Sequence, residues 1–236
     1  MPVWKIPRSY CSVTGVSAST KAVGEPRFQS TLERDLITLL DFDTLVVSYE
    51  TQPIEISYSD FSGQSRRYKP DILIVYATAC GRSPVLGEVK YVVDLKRADL
   101  RDEHRRRCRA GRDYAFTQGW QFALFTERVI RTPLLANARF LLPYTRLASN
   151  RYVEDQLYEV LDCYRMGSGA NGQESPPSAQ ELLMRVTSSE AAFLSALPVL
   201  WHLVGTGKIL ADLTQPITMS TQLRLPDTSM DERVVT

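Results

Sequence analysis

The chain has 236 residues, 44% hydrophobic and 23% charged, with a formal net charge of +1, enough for one large or two small domains. No apolar run reaches membrane-spanning length and no N-terminal stretch joins a basic flank to an apolar run, so a membrane span and a secretory signal are excluded and a bacterial cytoplasm is expected. The four cysteines (Cys11, Cys80, Cys108, Cys163) are scattered without a CxxC pair, which argues against a zinc ribbon or a disulfide framework.

The average charge conceals a division. Residues 151–236 hold six Lys/Arg against eleven Asp/Glu, a net of −5, whereas residues 1–150 hold 22 against 16, a net of +6. Asymmetry of this kind suggests nucleic acid at one end and a protein partner at the other.

In chain order, residues 1–24 lack periodicity and read as a flexible arm. Gln29 to Phe42 reads as an amphipathic helix with Glu33, Leu36, Ile37 and Leu40 on one face. A carboxylate on such a face needs a partner. A metal would be one; a capping box, Ser30-x-x-Glu33, would be another, and the pattern alone leaves both open. Ile54-x-Ile56-x-Tyr58 alternates as a strand and Ser59 to Gly63 supplies a turn.

The most informative stretch is Tyr68 to Lys90. Asp71 opens a buried strand, Ile72 to Tyr76; Cys80 to Pro84 reverses the chain; the next strand carries Leu86, Glu88 and Lys90 on one face. Two carboxylates and a lysine can thus converge on neighbouring strands, although Glu88 and Lys90 taken alone also fit a solvated cross-strand pair. Phosphodiester hydrolysis needs these groups: Asp71 and Glu88 to hold Mg²⁺, whose bound water is acidified, and Lys90 to orient the water or stabilise the developing charge. With only His104 and His202 in the chain, histidine-dependent phosphoesterase chemistry is disfavoured.

After this motif, Asp94 to Ala115 reads as a helix, and Lys96 to Arg112 holds eight Lys/Arg against three Asp/Glu. Arg101, Arg105, Arg109 and Arg112 make a stripe suited to a phosphate backbone, with Arg66 and Arg67 as weaker candidates. Trp120 to Phe125 reads as a core strand and Pro133 to Phe140 as a short helix. The order gives a mixed-sheet α/β core over residues 25–150.

A second unit, residues 151–225, is expected to contain helices at Val153–Tyr164, Ala179–Val186 and Ser189–Leu197. A loop runs from Gly167 to Ser178, Thr187-x-x-Glu190 is a possible capping box, Pro198 can start a further turn, and Gly205 to Gly207 stops it. Ile209–Leu213 and Ile217–Leu225 would form a hairpin about Pro216. Three helices and a hairpin look like a winged helix, and its acidity suggests a protein-docking face. Residues 226–236 read as a tail.

Five spaced motifs make a specific resemblance. Leu32-Glu33-Arg34-Asp35, Leu39-Leu40-Asp41-Phe42-Asp43, Tyr49-x-x-Gln52-Pro53-Ile54, Arg67-Tyr68-x-Pro70-Asp71 and Glu88-Val89-Lys90-Tyr91 look like the TnsA family, the restriction-endonuclease-like (PD-(D/E)xK) subunits of cut-and-paste transposons. The likeness continues through Tyr114-Ala115, Gly119-Trp120-x-Phe122, Phe125-Thr126-Glu127 and Ile130-Arg131. It implies Glu33, Asp71, Glu88 and Lys90 as the catalytic set, with Glu33, Asp71 and Glu88 holding Mg²⁺ or, in its place, Mn²⁺. It further implies cutting of the 5′, non-transferred strands of double-stranded transposon ends, beside a DDE transposase and an AAA+ regulator. The other reading is a non-catalytic assembly factor that bridges those partners on a nuclease fold.

Overall fold

The structure, a computed structural model, describes residues 13–97, 101–148, 150–171 and 175–226. The chain divides into two compact units, Met1–Arg131 and Thr132–Thr236. Among the described residues no helix is long and apolar enough to cross a membrane.

The first unit is built on a four-stranded sheet. Strand β1 (Gly15–Val16) pairs with β2 (Arg27–Phe28), and helix α1 (Thr31–Phe42) follows. Residues 13–24, read from sequence as part of an arm, are hydrogen-bonded to the sheet: the Val23 amide donates to the Tyr49 carbonyl and the Tyr49 amide to Lys21. The sheet itself contains β3 (Val46–Thr51), β6 (Ile72–Tyr76), β7 (Val85–Val89) and β8 (Gln121–Phe125), in the order β3-β6-β7-β8. Only β7 and β8 are parallel. Strand β3 escaped the sequence reading because a register shift between Val46 and Ser48 breaks its period of two. Its buried residues, Val46 and Tyr49, fall three apart.

Between β3 and β6 the chain makes a separate hairpin, β4 (Ile56–Ser59) with β5 (Ser65–Tyr68), closed by the turn foreseen at Ser59–Gly63. Gln52 enters it in a left-handed conformation, φ 51°, and its amide donates to the Asp71 carbonyl. The basic segment after β7 is broken into α2 (Val92–Lys96) and α3 (Arg101–Thr117), rather than the single helix expected. Glu127, in the short helix α4 (Glu127–Ile130), accepts from the Val92 amide and so satisfies a free donor at the start of α2.

Period-two alternation gives the sheet two apolar faces. Ile72, Ile74, Val85 and Val89 pack with Leu32, Leu36, Ile37 and Leu40 of α1. Leu86 on the other face joins Tyr68, Ile56 and Ala115, the last from α3. Glycine permits two close approaches: a Cβ on Gly87 would fall 2.7 Å from Phe125, and one on Gly111 of α3 would fall 2.5 Å from the Tyr68 hydroxyl.

The second unit holds α5 (Pro133–Thr145), α6 (Arg151–Asn171), α7 (Ala179–Val186) and α8 (Glu190–Gly205). The division at Arg131/Thr132 precedes the one expected at residue 150, because α5 packs on α8. Phe140 meets Trp201 edge-on at 5.3 Å, and His202 Nδ1 lies 3.0 Å from the Tyr144 carbonyl. Helix α8 runs unbroken through Pro198, where a new start was expected. The carbonyl that Pro198 leaves unpaired is that of Leu194, an exposed residue that water can serve. The predicted box at Thr187 is absent: Ser189 caps α8, while Ser178 and Glu181 form a full capping box on α7.

The expected hairpin shrinks to one antiparallel bridge, Leu210 with Arg224, plus a bridge from Gln222 to Ser178. Buried Asn137 explains this. Its amide nitrogen donates to the Leu213 and Gln215 carbonyls and its oxygen accepts from the Ile217 amide, so these groups are not available to a ladder. The described part of the unit is therefore a helical bundle with two isolated bridges in place of the expected hairpin. The predicted tail, residues 227–236, lies outside the described residues.

One buried charge ties α1 to the end of the first unit. Arg131 Nε donates to Asp35 at 2.9 Å, and the same guanidinium reaches Thr31 and the Tyr91 hydroxyl. Asp35 is 2% exposed. Arg131→Ala is expected to lower stability by about 2 kcal/mol, because it strips a buried carboxylate of its main donor. In urea denaturation, the Asp35→Asn/Arg131→Ala double variant should lose less than the sum of the two single losses.

Candidate active site

The centre forms where β6 begins and β7 ends. Asp71 precedes β6, and its amide donates to the Gly87 carbonyl, which holds it level with the end of β7. The Val89 amide donates to Asp71 Oδ2 at 2.7 Å. Lys90 Nζ stands between the carboxylates, 3.0 Å from Glu88 Oε1 and 3.5 Å from Asp71 Oδ2. A further donation to the Val89 carbonyl at 3.0 Å fixes the ammonium in place. Asp71, Glu88 and Lys90 are thus brought together as the alternation predicted.

Burial dominates the electrostatics. It pushes the Glu88 carboxyl up to about 7, helped by the Asp71 charge and opposed by Lys90. Asp71 is raised by burial as well, against the pull of Lys90. Burial lowers Lys90, but the two carboxylates outweigh it and its pKa rises above the ordinary lysine value.

Glu33 serves two surroundings. Its carboxylate accepts from the Gln29 amide at 2.8 Å and from the Ser30 hydroxyl at 2.9 Å, while the Glu33 amide donates back to Ser30. Of the two alternatives left open by the sequence, the capping contacts are the ones observed. Glu33 also shares with Asp71 a small cavity of about 10 Å³, the room of about one water-sized sphere. Burial raises the Glu33 carboxyl, and the Asp71 charge raises it further.

Helix α3 contributes what the arginine stripe did not foresee. Arg101, Arg105, Arg109 and Arg112 are exposed, and Arg105 and Arg109 are paired with Asp102 and Asp113. Arg105, Arg106 and Arg109, but not Arg101 or Arg112, border an open groove of about 710 Å³ between α3 and the β4–β5 hairpin, lined also by Tyr58 and Phe61. Arg66 and Arg67 on the hairpin are paired with Asp60 and Glu55. The inner face of α3 instead presents His104, Arg107 and Cys108. Arg107 lowers the pKa of both Asp71 and Glu88, Lys90 and Arg107 both act on His104, and Glu88 acts on Cys108. The signal available in the sequence was the spacing Arg107-x-x-x-Gly111-x-x-x-Ala115, in which small residues mark the face that meets the sheet.

Among the described residues, five buried side-chain polar atoms lack a hydrogen-bond partner. Four belong to this neighbourhood: Tyr68 Oη, Glu88 Oε2, His104 Nε2 and Arg107 Nε. Orphaned groups are costly and uncommon in folded proteins, and their gathering at one place marks a site built for ligands. The oxygen donors suit a hard divalent cation such as Mg²⁺, which takes one or two carboxylates and completes its shell with water and phosphate. Asp71 and Glu88, the latter with an unused buried oxygen, fit that pattern. No trio of His, Cys, Asp or Glu among the described residues is close enough to hold an ion.

These shifts make stability pH-dependent. Glu88 keeps its proton to about 7 when folded, against 4.5 ordinarily. Between those values the unfolded chain loses the proton first, so stability falls as pH rises through the window and levels above it. Asp71 and Glu33 act in the same direction. In chelator, the melting temperature of the wild type is expected to fall between pH 5 and pH 8. Glu88→Gln should melt above wild type at pH 8, with the difference closing towards pH 5, by scanning calorimetry.

Residues 43–127 match the family model of the TnsA-like endonuclease N-terminal domain, and no curated protein matches the chain. The matched span contains Asp71, Glu88, Lys90, the β4–β5 hairpin and all of α3. Residues 43–127 thus form a TnsA-like endonuclease N-terminal domain.

Proposed function

We propose that the chain is a Mg²⁺-dependent DNA endonuclease subunit of a cut-and-paste transposon, cutting the 5′, non-transferred strands at the element's ends. One observation carries this reading: within a TnsA-like domain, Lys90 Nζ lies in contact with the carboxylates of both Asp71 and Glu88.

Asp71 and Glu88 would hold the ion, with Glu33 on the cavity it shares with Asp71 as the third candidate. Mg²⁺, when bound, makes a water acidic and withdraws charge from the phosphate. The three donors of Lys90 are engaged with Glu88, Asp71 and the Val89 carbonyl; the longest of these contacts, 3.5 Å to Asp71, is the one it would give up to reach the attacking water or a non-bridging oxygen, where charge develops. The Val89 amide, spent on Asp71, keeps that carboxylate from rotating. Burial excludes bulk water and strengthens each of these interactions.

The groove along α3 offers arginines to the phosphate backbone on the side of the sheet that carries Glu88. The second unit, with eight Lys/Arg against eleven Asp/Glu over residues 132–236, is poorly suited to DNA. Its role in this reading is to dock a DDE transposase and an AAA+ regulator. A second reading, an assembly factor without catalysis, draws on the capping contacts that hold Glu33.

Strand-specific cleavage of labelled transposon-end DNA, with Mg²⁺ and both partner proteins, decides between them. A 5′-strand nick in wild type that Asp71→Ala and Glu88→Ala abolish, with 3′-end joining intact and products diverted to cointegrates, is expected for the enzyme. A wild type that leaves the 5′ strand whole while its partner cuts the 3′ end would establish the assembly factor. Deletion of residues 132–236 should leave the first unit folded and remove co-purification with the regulator.

A further inference from the structure

We infer that Arg107, with His104 beside it, binds a non-bridging phosphate oxygen of the DNA at the position of cutting. The inference rests on the nuclease reading above and adds to it a substrate-contacting group outside the carboxylate–lysine set.

The topology brings the pair to the site. β7, α3 and β8 form a strand–helix–strand unit with parallel strands, so α3 runs back against β7 and its first turns lie over the end of β7. Gly111 is pressed on Tyr68 and Phe122, and Phe122 is the strand partner of Leu86. Arg107 is one turn earlier on the same face of the helix, and Glu88 is one alternation further along the same face of the strand. His104 stands one turn earlier again.

The hydrogen bonds of α3 set these two residues apart. Arg105 and Arg109 pair with acids of their own helix, and Arg106 donates to the Ser59 carbonyl and lies 3.7 Å over the Phe61 ring. Arg107 is anchored at one end, its Nη2 bonded to Glu103 and its side chain to Tyr58, while Nε is buried without an acceptor. His104 Nε2 is in the same condition three residues away. Arg107 Nε, always a donor and electrostatically coupled to both Asp71 and Glu88, and His104 Nε2, a donor in its Nε2–H tautomer, suit an anion carrying several oxygens. A carboxylate pair joined to a cation receives a phosphodiester in this position, and a guanidinium suits its oxygens better than an ammonium does. A purely structural Arg107, holding α3 to the sheet, would not need a free Nε.

The test uses the cleavage assay above with wild type, Arg107→Gln, Arg107→Lys and the outer-face control Arg109→Gln. After the wild-type nick is mapped, single uncharged methylphosphonates replace the phosphates at and beside it. Arg107→Gln is expected to lower the rate at saturating DNA by at least about tenfold, the loss of one charged hydrogen bond. Arg107→Lys should recover part of that rate, and Arg109→Gln should retain most of it. One methylphosphonate should cost the wild type a similar factor and cost Arg107→Gln nothing more. Equal methylphosphonate costs in wild type and Arg107→Gln at every position, or an unimpaired Arg107→Gln, would overturn the inference. Where Arg107→Gln melts well below wild type, Arg107→Lys carries the same comparison. Asp71→Ala in parallel separates the two claims: if it cuts like wild type the nuclease reading fails, whereas silent Arg107 variants beside a dead Asp71→Ala refute the phosphate contact alone.

Discussion

Two carboxylates share one ammonium in a nearly closed space: Lys90 Nζ touches Glu88 and Asp71, and the Glu88 side chain is 4% exposed. The charges do not cancel. Bringing ions out of water costs several kcal/mol each, and only one of the two negative charges is matched locally, so the rest of the first unit has to hold the pair together against its own repulsion. The Val89 amide locks Asp71, the antiparallel register of β6 and β7 sets the two acids side by side, and α1 and α3 seal the sheet from either face. Removing any one of these would let the carboxylates separate or hydrate. A divalent cation held by Asp71 and Glu88, as proposed above, would supply positive charge that this pair lacks.

Much of this was readable in the chain. The unbroken apolar run Ile72–Tyr76 after Asp71, and the parity that puts Leu86, Glu88 and Lys90 on one face of the next strand, were enough to place Asp71 and Glu88 on neighbouring strands. The capping pattern at Ser30 and Glu33 was equally local. What escaped depended on contacts between distant segments. The bulge in β3 hides its periodicity, Asn137 consumes the polar groups of a would-be strand 76 to 80 residues away, and the packing of Phe140 on Trp201 assigns α5 to the second unit. Charge counting along α3 found the exposed arginines, since they are numerous, and passed over Arg107, whose significance comes from the face it occupies.

The second unit shows how a sequence can suggest a familiar fold and deliver a reduced form of it. Helix α7 stands where its pattern places it, with Ser178 and Glu181 supplying its start, while α6 covers the expected Val153–Tyr164 but runs on to Asn171, into the stretch read as a loop from Gly167. Beyond α8, backbone groups that two paired strands would use are bonded to a single buried amide. The segment is held by its side of the bundle and needs no sheet partner, and its surface is available for contacts other than those of a DNA-reading wing.

Gly111 has a consequence for anyone who would stabilise this protein. In an exposed helix, alanine in place of glycine strengthens the helix by about 1 kcal/mol. At this position the added methyl would sit 2.5 Å from the Tyr68 hydroxyl and 2.6 Å from Phe122. Either helix α3 or the Tyr68 and Phe122 rings would have to shift. A substitution favoured by helix propensity would thus disturb the packing that holds α3 on the sheet, and thermostability engineering should spare this residue.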